Sequence, residues 1–313
     1  MTVGNTGEQA LIRRLTRRLP RDASVVAGAG DDCAVVRPAD TGAEDWLLTT
    51  DPVIAGVHFA PDAPAEAVGH KAVGRVLSDI AAMGGVPRWI LIDLVLTPEC
   101  PVAWVDAVYA GALALAARHG AVIVGGDTAR GAAIELHVFG VGAVPRGRAL
   151  LRSGAHPGDA LLVTGALGGS LAGRHLRFEP RLPEGRALLD WATACMDISD
   201  GLATDLRTLM AASGAGCTLD APSIPAAPEL AALPRAQALR HALCDGEDFE
   251  LLFTVPAERC ADFLRFWAAS GLTPACRIGT VTADAGRILL SDEHGAAAPL
   301  DARGYEHFHA DHD

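Results

Sequence analysis

The sequence predicts an α/β or α+β protein of two domains, each built on a mixed sheet. Three observations predict it. Strand-like apolar runs and helical periodicities mix in both halves, which argues against an all-α or all-β chain. Strand pairs fall near 34–50 and 121–144, so the order is not a strict strand–helix alternation and a Rossmann sheet is disfavoured. A length of 313 residues favours two domains. The strongest punctuation is Pro145-Arg146-Gly147-Arg148, followed by the Gly/Pro/basic stretch 152–159. The predicted division is therefore 1–146 and 147–313.

In the first half, 9–19 spaces its apolar residues as a short helix does. Residues 34–36 and 46–50 are predicted strands. Residues 65–83 form a long helix with Val68, Ala72, Val76 and Ile80 near one face. A strand at 89–96 and an Ala-rich helix at 102–118 follow. A buried strand, 121–124, is predicted to end at Gly125-Gly126, with another strand at 134–144. In the second half, 160–164 is a strand, 168–176 a helix, 194–198 a strand and 202–212 a helix. Residues 249–255 are a strand and 257–269 an amphipathic helix, with short strands at 277–281 and 287–291.

Half of the residues are hydrophobic and only 5% aromatic, so the cores are built from Ala, Val, Leu and Ile. The net charge of −12 argues against a nucleic-acid partner. No apolar run reaches the roughly 20 residues that span a bilayer. The polar opening segment lacks the apolar core of a signal peptide. The seven cysteines are scattered without a C-x-x-C pair, which suits reduced thiols and a cytoplasmic location. Lys71 is the sole lysine beside 25 arginines, and a chance survivor of arginine bias is as good a reading as a functional group.

The chemistry lies in seven aspartates set in five short motifs: Gly28-Ala29-Gly30-Asp31-Asp32, Thr49-Thr50-Asp51, Leu77-Ser78-Asp79, Gly125-Gly126-Asp127-Thr128 and Asp197-Ile198-Ser199-Asp200-Gly201. Carboxylates crowded at strand ends repel unless cations separate them. Hard oxygen donors suit Mg²⁺, which often bridges carboxylates and substrate phosphates. No Walker A lysine loop is present. Taken singly, the first motif reads as a plain turn, the second, with its Asp before Pro52, as a strand end, and the last as a helix cap. Asp79 differs, because a mid-helix aspartate among apolar neighbours is costly unless exposed, hydrogen-bonded or cation-bound. Gly246-Glu247-Asp248-Phe249-Glu250 alone reads as a charged turn, and His58 as a packed loop histidine.

In order, the blocks GAGDDCAVV, LLTTDPVIAGVHF, HKAVGRVLSDIAAMGGVPRW, VIVGGDTARG, VPRGRALLRSGAHPGD, MDISDGLATDL, GEDFELLFTV and GYEHF cover 28–308. Together they resemble thiamine-monophosphate kinase, of the superfamily that includes aminoimidazole ribonucleotide synthetase. The resemblance implies transfer of phosphate from ATP to thiamine monophosphate with Mg²⁺. It implies a magnesium set of Asp32, Thr49, Thr50, Asp51, Asp79, Asp127, Asp197 and Asp200. It implies ATP contacts at Gly126, Asp127, Arg152 and Ser199, and thiamine-phosphate contacts at His58, Glu247 and Tyr305. It also implies a two-domain synthetase-like fold that pairs as a homodimer through its N-terminal half. Pro52, Val76, Gly85 and Cys244-Asp245 depart from the expected pattern. A related ATP-using enzyme, a non-catalytic nucleotide or metal sensor and a Mg²⁺-dependent phosphatase are the alternatives. The sensor is disfavoured because no metal-ligand position is lost.

Overall fold

A computed structural model describes residues 7–17, 19, 22–39 and 42–306. His307 and Phe308 of the GYEHF block lie outside them. The chain runs α1 (Glu8–Thr16), β1 (Val25–Ala27), β2 (Ala34–Val36), β3 (Glu44–Ile54), α2 (Ala65–Ala82), β4 (Val86–Leu96), α3 (Val102–Arg118), β5 (Val122–Arg130) and β6 (Glu135–Pro145). The second half follows as β7 (Ala160–Thr164), α4 (Leu182–Leu188), β8 (Ala194–Asp197), α5 (Leu202–Ser213), β9 (Gly216–Asp220), α6 (Arg235–Cys244), β10 (Leu251–Val255), α7 (Ala257–Ala269), β11 (Ala275–Thr282), β12 (Ile288–Ser291) and β13 (Ala297–Pro299). Two mixed sheets result. The first has the order β1-β2-β3-β6-β4-β5, and the second β13-β12-β9-β11-β7-β10-β8. Among the strands of the described residues, β4–β5 and β9–β12 pair in parallel and the other neighbours antiparallel.

Period-two alternation decides which faces are buried. In the first sheet, Leu47, Val53, Ile90, Ile92, Leu136 and Val138 face a core closed by Val68, Ala72, Val76 and Ile80 of α2. The opposite face exposes Leu48, Trp89, Leu91, Val122, Val124 and Phe139. In the second sheet both faces are covered, so β7 and β10 are buried at every position. Leu161 and Val163 enter one core while Ala160 and Leu162 enter the other, where Ala82 of α2 joins them. Helix α2 thus belongs to both sheets' packing, touching β3 and β6 on one side and β8 and α4 on the other.

Three sequence expectations need correction. The strand predicted to end at Gly125 continues to Arg130, because β5 stays paired with β4 through Leu96↔Arg130. It is an exposed edge strand, not a buried one. The helix predicted at 168–176 is two single 3₁₀ turns, Ser170–Ala172 and Arg174–Leu176. Gly168, Gly169 and Gly173 hold left-handed backbone there and interrupt any continuous helix. Strands β1, β9 and β13 and helices α4 and α6 carry too weak a pattern to have been anticipated.

Close helix contacts rest on glycine. A Cβ at Gly69 would stand 1.8 Å from the Val108 carbonyl oxygen of α3, and one at Gly111 would stand 1.9 Å from the Glu66 carbonyl oxygen of α2. Neither obstacle is a flexible side chain, so the helices must part. Gly69→Ala is expected to lower unfolding stability by about 2 kcal/mol, read from the shift in urea midpoint. An unchanged midpoint would show that α2 and α3 pack more loosely than these distances allow.

Candidate functional site

Lys71, Arg75, Ser78 and Asp79 fall at i, i+4, i+7 and i+8 on α2, giving one polar stripe along a largely apolar helix. At its C-terminal end, carboxylate oxygens of Asp79, Asp32 and Asp197 all lie within 4.8 Å of one another. Asp32 precedes β2 and Asp197 ends β8, so the cluster joins both sheets. Thr49 donates its hydroxyl to Asp79, and Ser78 donates to Asp197 at 2.6 Å. Arg152 grips Asp32 at 3.0 and 3.3 Å and its backbone N–H reaches Asp31 at 2.7 Å. Arg75 pairs with Asp51 at 2.9 Å.

Burial, then the charges of Asp51, Asp197 and Asp32, push the Asp79 carboxyl well above the carboxylate range. Burial and Asp32 push Asp197 up to about 8, against the Ser78 hydroxyl and Arg152. Unit charges 4.8 Å apart repel by about 3 kcal/mol at an effective dielectric of about 20. A neutral hydrogen bond returns only roughly 1 kcal/mol, so the hydroxyls cannot quench the cluster. Protons or a cation must. The donor atoms are all oxygen, the set that suits a hard divalent ion such as Mg²⁺.

Beside the cluster, His58, Glu247 and Tyr305 line one cleft with Arg75, Ser199, Asp200 and Asp245. The acidic loop that carries Glu247 divides its side chains between cleft and core. Gly168 N–H and Arg174 hold buried Asp248, at 3.0 and 2.9 Å. Thr164 and a bidentate Arg181 hold buried Glu250. Glu247 turns instead toward α2, where Lys71 approaches at 2.6 Å, Arg75 at 3.3 Å and His175 at 2.9 Å. Burial raises the Glu247 carboxyl, but His175, Lys71 and Arg75 outweigh it and bring it down to about 2. Burial lowers Lys71 to about 8 in spite of Glu247. Both shifts leave carboxylate and ammonium charged at neutral pH, and the short contacts support that state.

The loop is strained: Glu247 and Phe249 hold φ of 51° and 52°, left-handed values that suit glycine. Each costs on the order of 1 kcal/mol and persists only where neighbours over-determine it. Here Glu247 N–H donates to Ser199 O at 2.6 Å and Phe249 N–H to Ile198 O at 2.8 Å. His58 Nδ1 accepts from Ile54 N–H at 3.1 Å, which leaves its proton on Nε2. Tyr305 enters the cleft because its N–H bonds Asp200 O at 2.9 Å. Gly304 allows this approach, since a Cβ there would meet the same oxygen at 1.9 Å.

Not every expected ligand joins the cluster. Thr50 is next to Thr49 on β3 and faces the other side of the sheet, as the pleat demands. Gly126 and Asp127 lie on exposed β5, where Asp127 accepts from Thr128 N–H at 2.8 Å. A Cβ at Gly126 would meet Ile92 O at 1.8 Å, so strand pairing alone already requires that glycine. Ser199, expected at ATP, and Asp200, expected at metal, line the cleft with His58 and Tyr305. Sequence reasoning missed Arg75 and Ser78, although helical spacing from Asp79 contained the signal. It also missed His175, which nothing in the sequence singles out.

Residues 30–144 match the family model for the N-terminal domain of AIR synthase related proteins, and 170–290 match the C-terminal domain. Thiamine-monophosphate kinase of Salmonella typhimurium is 37% identical over 96% of this chain and 98% of its own. The solved structure of AaThiL complexed with AMPPCP and TMP superposes with a TM-score of 0.84, at 31% identity over 98% of this chain and 99% of that one. Thiamine-monophosphate kinase from Stenotrophomonas maltophilia K279a gives a TM-score of 0.75, at 34% identity over 92% and 96%. With both domain models matched in order and end-to-end likeness at this level, the chain belongs to the thiamine-monophosphate kinase family of enzymes.

Proposed function

We propose that the protein transfers the γ-phosphoryl group of ATP to thiamine monophosphate, releasing ADP and thiamine diphosphate. The observation that carries this reading is the contiguity of two unlike sites. Arg75 touches Asp51 of the carboxylate region with one nitrogen and Glu247 of the cleft with another. An anionic, metal-ready cluster therefore adjoins a cleft with acidic and aromatic walls. That cleft suits a cationic heteroaromatic ring, which Glu247 can balance and Tyr305 can stack against. The structural relative that binds AMPPCP and TMP supports the same pairing of ligands.

In this reading Asp32, Thr49, Asp51, Asp79 and Asp197 hold Mg²⁺, and Asp200 serves it from the cleft edge. When bound, several such ions neutralise charge on the phosphates and align an in-line displacement. Arg152 and Ser199, with Gly126 and Asp127 on the open edge of β5, contact ATP. The terminal phosphate oxygen of thiamine monophosphate attacks the γ-phosphorus as the bond to the ADP oxygen breaks. With a second pKa of about 6 that oxygen is already ionised at neutral pH, so no side chain need act as general base. Residues 1–146 and 147–313 act as two domains with the site between them. The setting is the cytoplasm, and among the described residues no helix is long and apolar enough to cross a membrane.

The uncovered face of the first sheet supports a homodimer. Leu91 and Trp89 of β4 lie on it, flanked by β6 and β5, exposed at 44% and 42%. A contiguous apolar face of this kind marks association, and two-fold pairing is its commonest closed form.

Three outcomes are expected. Incubated with ATP, Mg²⁺ and thiamine monophosphate, the protein should yield thiamine diphosphate by mass spectrometry; ADP release indifferent to thiamine monophosphate would remove the assignment. Asp79→Asn should abolish turnover yet keep the fold, and Mg²⁺ should raise the melting temperature of the parent but not of the variant. Near-normal activity of the variant at limiting Mg²⁺ would make Asp79 structural. Light scattering should give twice the chain mass of 32.4 kDa, and Leu91→Glu should return it to the single mass; a parent already at the single mass would remove the dimer.

A further inference from the structure

Lys71 has no access to solvent. A buried ammonium costs several kcal/mol unless its donors are met and its charge is paired. All three donors are met. They reach His58 O at 2.5 Å and the two Glu247 carboxylate oxygens at 2.6 and 2.8 Å, and His175 Nδ1, 2.8 Å from the ammonium, pairs with the same carboxylate. Those partners come from the loop after β3, the turn Arg174–Leu176 and the acidic loop before β10. One point charge therefore joins three segments at the meeting of the two sheets. Lys71 itself does not line the cleft, whereas Glu247 and His58 do.

The Glu247 backbone is left-handed, so the loop does not hold this conformation by its own preference. Backbone bonds to Ser199 and Ile198 hold the loop, but they do not set the side-chain torsions of Glu247, so the carboxylate itself needs a partner. Arg75 is a weak candidate, because it approaches at 3.3 Å and divides itself with Asp51. The ammonium is closer, fully buried, and anchored from behind by the His58 carbonyl. Guanidinium is no substitute, being planar and larger than this three-donor socket.

We propose that Lys71 is the positioning residue of the acceptor cleft: it holds the Glu247 carboxylate where a cationic acceptor ring meets it, and so sets acceptor affinity without touching the acceptor. The proposal rests on reading the cleft as the thiamine monophosphate site. It gives the sole lysine a task distinct from phosphate binding, and it separates acceptor recognition from the carboxylate cluster further along the same helix.

The test is steady-state kinetics on the full chain for the parent, Lys71→Met, Glu247→Gln and the double variant. Lys71→Met should raise KM for thiamine monophosphate at least about tenfold, equivalent to about 1.4 kcal/mol of binding. KM for ATP and kcat should stay within roughly twofold. In the double variant, KM for thiamine monophosphate should not exceed that of Glu247→Gln, because Lys71 acts through the carboxylate already removed. If Lys71→Met does not fold, with Glu247 left short of a cation, the double variant lacks that charge and still decides the question. A further rise in KM over Glu247→Gln overturns the proposal, as does equal damage to both substrates or a fall in kcat alone. An unchanged Lys71→Met in an active parent overturns the role of Lys71 only. A parent inactive on thiamine monophosphate overturns the cleft reading and this inference together.

Discussion

Mutual repulsion among Asp32, Asp79 and Asp197 is the constraint around which the structure is organised. The three carboxylates come from a loop, a helix and a strand end, and their oxygens converge within 4.8 Å. Nothing intrinsic to those segments favours the approach. It is held by the packing of α2 against both sheets, which places a carboxylate at the end of an apolar helix. The stabilisation from that packing offsets the electrostatic cost, and the site retains a standing demand for positive charge. Arg152 and Arg75 answer part of it at the rim, on Asp32 and Asp51. They leave the interior of the cluster to protons or metal.

Helix α2 serves three purposes through one periodicity. Val68, Ala72, Val76 and Ile80 fill the core under the first sheet. Gly69, with Gly111 from α3, lets the two helices approach to backbone contact. Gly74 similarly admits the Phe178 ring, which stacks on Phe249 at 3.9 Å between centroids. That stack carries the acidic loop toward the helix, so the same packing that closes the core delivers Glu247 to Lys71 and Arg75. Site geometry and fold stability are coupled here, because both depend on how closely other segments can approach α2.

The acidic loop shows how similar residues acquire different roles. Glu247, Asp248 and Glu250 lie within four positions of one another in the sequence. Asp248 and Glu250 are spent on Arg174 and Arg181, tying down the segment between β7 and α4. Burial still pushes Asp248 up to about 7, against Gly168 and Arg174. Glu247 alone is held low by cations and faces the cleft. Asp245 also lines that cleft and accepts from Gly169 N–H at 2.7 Å. Its carboxylate adds a further acidic group to the cleft wall.

The sequence by itself determined the mixed two-sheet class, the long helix at 65–83, the carboxylate motifs and the family resemblance they carry. These were legible because periodicity, turn chemistry and motif order are local properties of the chain. Lys71 was visible as an oddity but not as a clamp, and Arg75 was overlooked although it lies on Asp79's own helical face. Tertiary structure decided the rest. It showed that Gly126 answers a strand neighbour's carbonyl, that Thr50 turns away from Thr49, and that β5 is an open edge. It brought His175 to Glu247 from 72 positions away. Such facts depend on which segment approaches which, and at what distance. Approach distance follows from packing whole elements together, which no local pattern of residues encodes.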